Sequence, residues 1–119
     1  MNVILVDTNI KRLHSAAALL RKIAPESTVM STADPLMAAK YAFNNPVDLL
    51  FAALNMKRMS GLQLAAFVRE QHPAVRACLL ASRQEFADCP EAFDGGIRPL
   101  ALPITEEALR KLFLRDPAA

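Results

Sequence analysis

Five short apolar runs alternate with helical patterns along this chain of 119 residues. The runs begin near residues 3, 28, 47, 76 and 99. Several are continuous, such as Val3-Ile4-Leu5-Val6 and Leu49-Leu50-Phe51-Ala52, which is what strands buried on both faces require. Strands that alternate with helices favour a parallel sheet covered on either side. The sequence therefore predicts an α/β fold, a five-stranded, doubly wound parallel sheet in a three-layer sandwich.

Helix start and stop signals lie between these runs. Asn9 to Ala24 has apolar residues at three- and four-residue spacing and stops before Pro25, which predicts the first helix. Its buried stripe is predicted to be Ile10, Leu13, Ala17, Leu20 and Ala24. Further helices are predicted to start after the capping residues Asp34, Ser60, Ser82 and Thr105. Gln63 and Glu85 complete capping boxes with the two serines, and Pro90 is expected to leave the fourth helix short.

The composition is typical of one globular domain. Apolar residues make up 53% and charged residues 22% of the chain, so disorder is not expected. The net charge of +2 is too small to indicate nucleic-acid binding. Neither Cys78 nor Cys89 belongs to a zinc-ligand spacing. We see no signal-peptide layout and no apolar run near the ~18 residues of a membrane span, so we expect a cytoplasmic domain over residues 1–115 with a tail at 116–119.

Function in a doubly wound sheet gathers where the strands end at the carboxyl edge. The residues predicted at these ends are Asp7-Thr8, Ala53-Leu54, Ala81-Ser82 and Leu102-Pro103. A single carboxylate, that of Asp7, is among them. An acidic site at this edge is therefore mostly missing its acids.

The order of these features resembles a response-regulator receiver domain over nearly the whole chain. Val3 to Asp7 resembles the family's first strand, which normally ends in two adjacent acids. Val47 to Ala53 resembles its third strand. Asn55 to Gly61 resembles the following loop, where the family often has Met, a Pro-Gly pair, Met and Asp-Gly. Leu102-Pro103 followed by Thr105-Glu106-Glu107 resembles its Lys-Pro and last helix. The resemblance implies a flavodoxin-like fold.

The resemblance also implies an activity and shows which parts of it are lost. The family transfers a phosphoryl group from a partner kinase to an aspartate that ends the third strand; acids hold a divalent cation there, and a hydroxyl and a lysine read the phosphate. Ala53 is at the acceptor position, Thr8 at the second acid and Leu102 at the lysine. The hydroxyl position is Ala81, although Ser82 follows at once. The degenerate pocket that the resemblance implies consists of Asp7, Thr8, Ala53, Ala81, Ser82 and Leu102.

No other residue is a good replacement for the lost acids. Asp48 precedes Ala53 by five residues, so at ~3.3 Å per residue it lies about 16 Å away, at the opposite edge. Magnesium usually needs one or two carboxylates, while Lys57 and Arg58 would repel a cation. We therefore expect no magnesium and no other cofactor. We expect Asp7 to cap the first helix or to pair with a basic group such as Lys57; a residual pocket for a small polar ligand is the alternative.

The resemblance implies a non-enzymatic signalling module that acts by binding. The family commonly signals through the face formed by its fourth helix, fifth strand and fifth helix. Residues drawn from that face are Arg83, Gln84, Asp88, Arg98, Glu106 and Arg110. Their mixed charges would suit a signalling protein or a second copy related by a two-fold axis, and we expect neither membrane nor direct nucleic-acid contacts.

Three alternatives stay open from the sequence. A phosphoacceptor of a phosphorelay, in the regulatory part of a transcription regulator, would need an acid other than Asp7 at a carboxyl strand end. A small enzyme or flavin binder on a flavodoxin-like fold would need a phosphate-binding loop, whereas Thr8-Asn9 is short and has no glycine. If the chain is part of a longer regulator, an effector domain would decide its biology.

Overall fold

The computed structural model describes residues 1–93 and 96–115. The strands described are β1 (Asn2–Val6), β2 (Thr28–Thr32), β3 (Leu49–Ala53), β4 (Arg76–Ala81) and β5 (Arg98–Ala101). The α-helices described are α1 (Ile10–Ile23), α2 (Pro35–Asn44), α3 (Gly61–Gln71), α4 (Arg83–Ala87) and α5 (Glu106–Arg115). A 3₁₀ helix, Pro90–Phe93, follows α4. The tail predicted at 116–119 lies outside the described residues.

The five described strands form one parallel sheet in the order β2-β1-β3-β4-β5. This confirms the predicted doubly wound, flavodoxin-like architecture. β3 begins at Leu49 rather than near residue 47. Asp48, just before it, accepts a hydrogen bond from the Asn2 amide at 2.7 Å. Asp48 therefore lies at the amino edge of the sheet, as expected, and Ala53 ends the same strand at the carboxyl edge.

The sheet separates two hydrophobic cores, one on each face. On one face, Ile4, Leu50 and Leu79 pack with Ala38 of α2 and Leu64 of α3. On the other face, the alternate strand residues pack with α1 and α5. That second core includes Val3, Leu5, Phe51, Leu80, Leu13, Leu20 and Leu109. The central strands are thus buried on both sides, which explains why their sequences are continuously apolar.

The start of α1 differs from the sequence prediction. Asn9 is the N-cap, and its side chain accepts a hydrogen bond from the Arg12 amide at 3.1 Å. Ile10 therefore stands in the first turn, and its side chain is 50% exposed, so its predicted burial is wrong. The stripe that is buried consists of Leu13, Ala16, Ala17 and Leu20. The centre of the predicted stripe is therefore confirmed, whereas its two ends, Ile10 and Ala24, lie outside the packed layer.

Both predicted capping boxes are present and fix where α3 and α4 begin. Ser60 accepts from the Gln63 amide at 3.1 Å and donates its own amide to the Gln63 side chain at 3.0 Å. Ser82 and Glu85 repeat the pattern at 3.1 and 2.8 Å. α4 ends at Ala87 after 5 residues, which confirms the expected short helix. Among the helices described in residues 1–93 and 96–115, none is long and apolar enough to span a bilayer.

Candidate functional site

The parallel register brings the predicted site residues to one edge of the sheet. β1 and β3 are neighbours, with Val6 opposite Ala52, so Asp7 and Ala53 follow each other around the same rim. β4 adds Ala81, and Leu102 follows β5 and donates its amide to the Ala81 carbonyl at 2.8 Å. The rim thus gathers the ends of four strands, as the fold requires.

Asp7 is buried and paired with Arg12. The Asp7 residue is 1% exposed. Its Oδ2 accepts from Arg12 Nε at 2.8 Å, and its Oδ1 accepts from Arg12 Nη2 at 2.9 Å. The Asn9 amide donates a third hydrogen bond to Oδ1 at 2.9 Å. Such a two-pronged pairing is the strong form of an arginine–carboxylate contact, and it neutralises a carboxylate that would be costly to bury alone.

This pairing refines the expected role of Asp7. The local interpretation is correct in kind, because the carboxylate binds an amide and a basic group at the start of α1. The basic partner is Arg12, however, and not the suggested Lys57. The hydrogen bonds to Asp7 raise the pKa of Arg12 above its ordinary value, against the opposing effect of burial. The guanidinium therefore remains charged throughout the physiological range.

A second polar cluster lies beside the first at the end of β4. Glu85 accepts a hydrogen bond from the Asn55 side-chain amide at 2.6 Å in addition to the capping bond from Ser82. The Ser82 amide, the Asn55 amide and the charge of Arg12 together lower the pKa of Glu85 below its ordinary value. Arg12 therefore lies in the field of two carboxylates, those of Asp7 and Glu85.

Ala53 and Ala81, the last residues of β3 and β4, carry buried methyl groups. Ala53 and Ala81 are each 1% exposed. The loop after β3 folds back over Ala53, and the Gly61 amide donates to the Leu54 carbonyl at 2.9 Å. A Cβ on Gly61 would collide with the Ala53 carbonyl oxygen. Ser82 Oγ is committed to its capping bond with the Glu85 amide, so its hydroxyl serves the helix start.

Thr8 and the loop cations line a separate, shallow cavity of about 380 Å³ together with Thr32. Lys57 and Arg58 are exposed, and neither makes an ion pair with a described residue. Arg58 has a φ of 74°, in the left-handed region that favours glycine. It stands where the resembling family often has the glycine of its Pro-Gly pair. The loop therefore has a left-handed backbone conformation that suits glycine, but an arginine occupies the position.

The donor set at this rim does not fit a magnesium ion. Magnesium prefers near-octahedral oxygen ligands and usually binds one or two carboxylates. Both oxygens of Asp7 already accept hydrogen bonds from Arg12, and the guanidinium brings a positive charge to the same place. Across residues 1–93 and 96–115, no group of three or more His, Cys, Asp or Glu side chains is placed to hold a metal.

The proposed interaction face divides into two parts. Arg83, Gln84, Asp88 and Arg98 are exposed on α4 and β5, and Gln84 donates to Asp88 at 3.1 Å. On α5, Glu106 pairs with Lys22 of α1 at 2.8 Å and with Arg110 at 2.9 Å. Glu106 and Arg110 are therefore engaged on the α1 side of α5. The four residues of α4 and β5 present the freer part of the face.

The sequence interpretation missed three residues of the site, Arg12, Asn55 and Glu85. Arg12 was assigned no role from the sequence, although it follows Asp7 by five residues, a little more than one helical turn. Asn55 lies two residues after the end of β3, and Glu85 was identified only as half of a capping box. All three lie within six residues after the end of a strand, and this position is the signal that would have found them.

This strand order, with its site at the carboxyl edge, defines a receiver-type fold. The response regulator receiver domain family matches residues 3–113, and this chain belongs to that family. No curated protein matches its sequence. A similar solved structure is the receiver domain of the sensor histidine kinase PA1611 from Pseudomonas aeruginosa PAO1, with a magnesium ion coordinated in its active site cleft; its TM-score is 0.83 at 21% identity, over 99% of this chain and 98% of that chain.

Two further structures show the same fold. The chemotaxis response regulator CheY4 of Vibrio cholerae has a TM-score of 0.79 at 22% identity, covering 96% of each chain. An uncharacterized protein from Neptuniibacter caesariensis has a TM-score of 0.83 at 22% identity, covering 96% of this chain and 84% of that one. The chain is thus a receiver domain of the kind found in two-component systems.

Proposed function

We propose that this receiver domain signals by binding alone and neither accepts a phosphoryl group nor binds magnesium. One observation carries the proposal: Arg12 holds both oxygens of the one acid left at the strand ends. The residue at the acceptor position, Ala53, has no nucleophile. Phosphoryl transfer depends on positioned charge around the transferred group, and the chain has removed the acids that would provide it.

Arg12 supplies the positive charge that a bound cation would otherwise bring. A guanidinium stays charged at any physiological pH, and here it belongs to the chain itself. The charge at the rim therefore does not change with a metal or a phosphate. Phosphorylation then cannot shift the domain between two conformations, because the charge at the rim stays the same. Any switching must come from a partner or ligand that binds one conformation more tightly.

The partner surface that fits this proposal is the exposed part of α4 and β5. Arg83 and Arg98 carry positive charge there, and Asp88 carries negative charge. A shallow cavity of about 400 Å³ lies on the same face, lined by Arg83, Phe86, Pro99 and their neighbours. A mixture of charges beside an apolar depression suits a signalling protein of the cytoplasm, or a second copy that places arginine against aspartate across a two-fold axis.

The first experiment measures intact mass after incubation with a small-molecule phosphodonor and magnesium. A receiver domain that is known to be phosphorylated is treated alongside to show that the donor is active. We expect no added phosphoryl group on the present chain. A gain of one phosphoryl group in the presence of magnesium would overturn the proposal and favour the phosphoacceptor alternative.

A second experiment tests the cation argument directly. Amide chemical shifts are followed while magnesium is added to the wild type and to Arg12→Gln, which keeps a polar side chain but removes the charge. We expect no saturable shifts at Asp7, Thr8 or Asn55 in the wild type. Saturation in the wild type at millimolar magnesium would contradict the proposed role of Arg12, whereas saturation in Arg12→Gln alone would support it.

A further inference from the structure

A cavity of about 460 Å³ opens between α1 and the segments that follow β4 and β5. Its walls include the apolar side chains of Ala16, Leu19, Leu102, Pro103 and Ile104. This volume falls within the range of small-molecule sites, which are typically apolar clefts with a few well-placed polar groups. The shallow cavity at the start of α2, by comparison, is lined by five polar or charged residues, Thr8, Thr32, Asp34, Lys57 and Arg58, and by only two apolar ones.

The cavity is continuous with the altered rim because three residues belong to both. Arg12, Ser82 and Glu85 line it at the end that faces the strand ends. Leu102 also lines it; this residue stands at the family's lysine position and packs, half-buried, against the core on the α1 side. An apolar side chain at that position gives the cavity an apolar wall where a lysine would bring a charge.

The polar groups around the cavity limit the charge of what it can hold. Lys11 is exposed at the mouth, and it makes no ion pair with any residue that the structure describes. At the inner end, Glu85 remains ionised because its pKa is lowered by its hydrogen bonds to Ser82 and Asn55. The charge of Arg12 at the same end is already balanced by Asp7. A second negative charge placed deep in the cavity would therefore meet the like charge of Glu85.

We propose that this cavity binds a small organic monoanion, with its apolar body against Leu19, Leu102 and Ile104 and its anionic group at the mouth beside Lys11. Polyanions such as nucleotides fit less well, because their additional charges would approach Glu85. The inference rests on the proposed function, in which binding replaces phosphorylation as the input. Occupancy would be sensed by Arg12 and the Ser82–Glu85 capping box, which lie at the same rim.

The test uses anilinonaphthalene sulfonate, a fluorescent organic monoanion with an apolar ring system, as the probe. It is titrated into the folded wild type and into two variants of exposed residues on α1. Ser15→Phe places a large side chain across the mouth, and Lys11→Glu reverses the charge there. We expect saturable one-site binding by the wild type, weakened roughly tenfold by Ser15→Phe and roughly fivefold by Lys11→Glu.

Two control variants separate this cavity from other places where the dye could bind. Phe43 is 66% exposed on α2, so Phe43→Ser removes the largest exposed apolar side chain of that helix. Lys40→Glu makes the same charge reversal as Lys11→Glu, but on α2 and outside the cavity. We expect both controls to bind the dye as the wild type does. A cooperative thermal transition in every variant shows that the dye is not reporting a loosely folded state.

The possible results are decisive in either direction. Undiminished binding in Ser15→Phe and Lys11→Glu, loss of binding in Phe43→Ser, or no saturable binding by the wild type would each overturn the inference. These results leave the proposed function standing, since it is judged by intact mass after treatment with a phosphodonor. A phosphorylated wild type would instead refute the proposed function, whatever the dye does.

Discussion

Asp7 and Ala53 stand at the ends of neighbouring strands on the same rim, and the fold accommodates them in opposite ways. At the end of β1 an acid is buried, and the fold supplies an internal counter-charge from Arg12. At the end of β3 a methyl group is buried under the returning loop at Gly61. The comparison shows that a buried charge needs a specific partner, whereas a buried methyl group needs only close packing.

The largest expected effect concerns the close packing of Gly61 against the end of β3. Gly61→Ala places a methyl group against the Ala53 carbonyl oxygen and 2.8 Å from Leu79 Cδ2. Because the obstacle is backbone on a buried strand, we expect the free energy of unfolding to fall by about 3 kcal/mol or more. Urea denaturation measures this. Gly96→Ala is the matched control: its added methyl group meets only Arg69 Nη2, at an ordinary contact distance of 3.9 Å, although its φ is 79°, so it should cost only about 1 kcal/mol.

The next effect concerns the ion pair between Asp7 and Arg12 at the end of β1. Arg12→Met removes the partner of a carboxylate that is 1% exposed, and we expect a loss of about 2 kcal/mol in the free energy of unfolding. Lys11→Met, one residue earlier and without a paired carboxylate, should be nearly neutral. The double variant Asp7→Asn/Arg12→Met should lose less than the sum of the single variants. Strictly additive losses would show that the pair contributes no coupling energy.

Adding a carboxylate at the end of β3 gives a third prediction. Ala53→Asp adds a carboxylate at a position that is 1% exposed, and we expect it to cost about 1–2 kcal/mol. It should still gain no phosphoryl group, because Arg12 continues to hold both oxygens of Asp7. Intact mass after phosphodonor treatment, compared with Ala53→Asn, provides the measurement. Phosphorylation of Ala53→Asp alone would show that the missing acceptor, and not Arg12, is what silences this rim.

The smallest expected effect depends on pH. The pKa of Glu85 is lowered from its ordinary value of 4.5, so its carboxylate stabilises the folded state above that value. This contribution is lost as the pH falls through the folded-state pKa. We therefore expect the stability advantage of the wild type over Glu85→Gln to shrink between about pH 6 and about pH 3. Parallel urea titrations at several pH values measure it, and an advantage that grows on acidification would have the wrong sign.

The fold was predictable because its signals are local and mutually consistent. The continuous apolar runs of β1, β3 and β4 indicated doubly covered strands, and Ser60 and Ser82 marked two helix starts with complete capping boxes. The position of Ala53 at the carboxyl end of β3 could likewise be predicted from the order of the strands. These features depend on neighbours in sequence or on the topology of a parallel sheet.

The partners within the site were not predictable in the same way. Lys57 and Arg12 are both cations close to the rim, and only the rotation of α1 decides which of them reaches Asp7. That rotation is fixed by Asn9 as the N-cap, which also turns Ile10 outward. Glu106 was expected on the face shared with α4, but the salt bridge to Lys22 draws it toward α1. Side-chain reach depends on these three-dimensional details, and residue types alone do not give them.

The Asp7–Arg12 pair has a consequence for the environment in which the domain works. A counter-ion that is part of the polypeptide cannot be diluted, removed by a chelator or exchanged for another metal. The positive charge beside Asp7 is held in place by α1 and does not depend on the concentration of free ions. Under the proposed function, fluctuations in cellular divalent ions would leave the rim unchanged, whereas they would affect a receiver that relies on a dissociable cation.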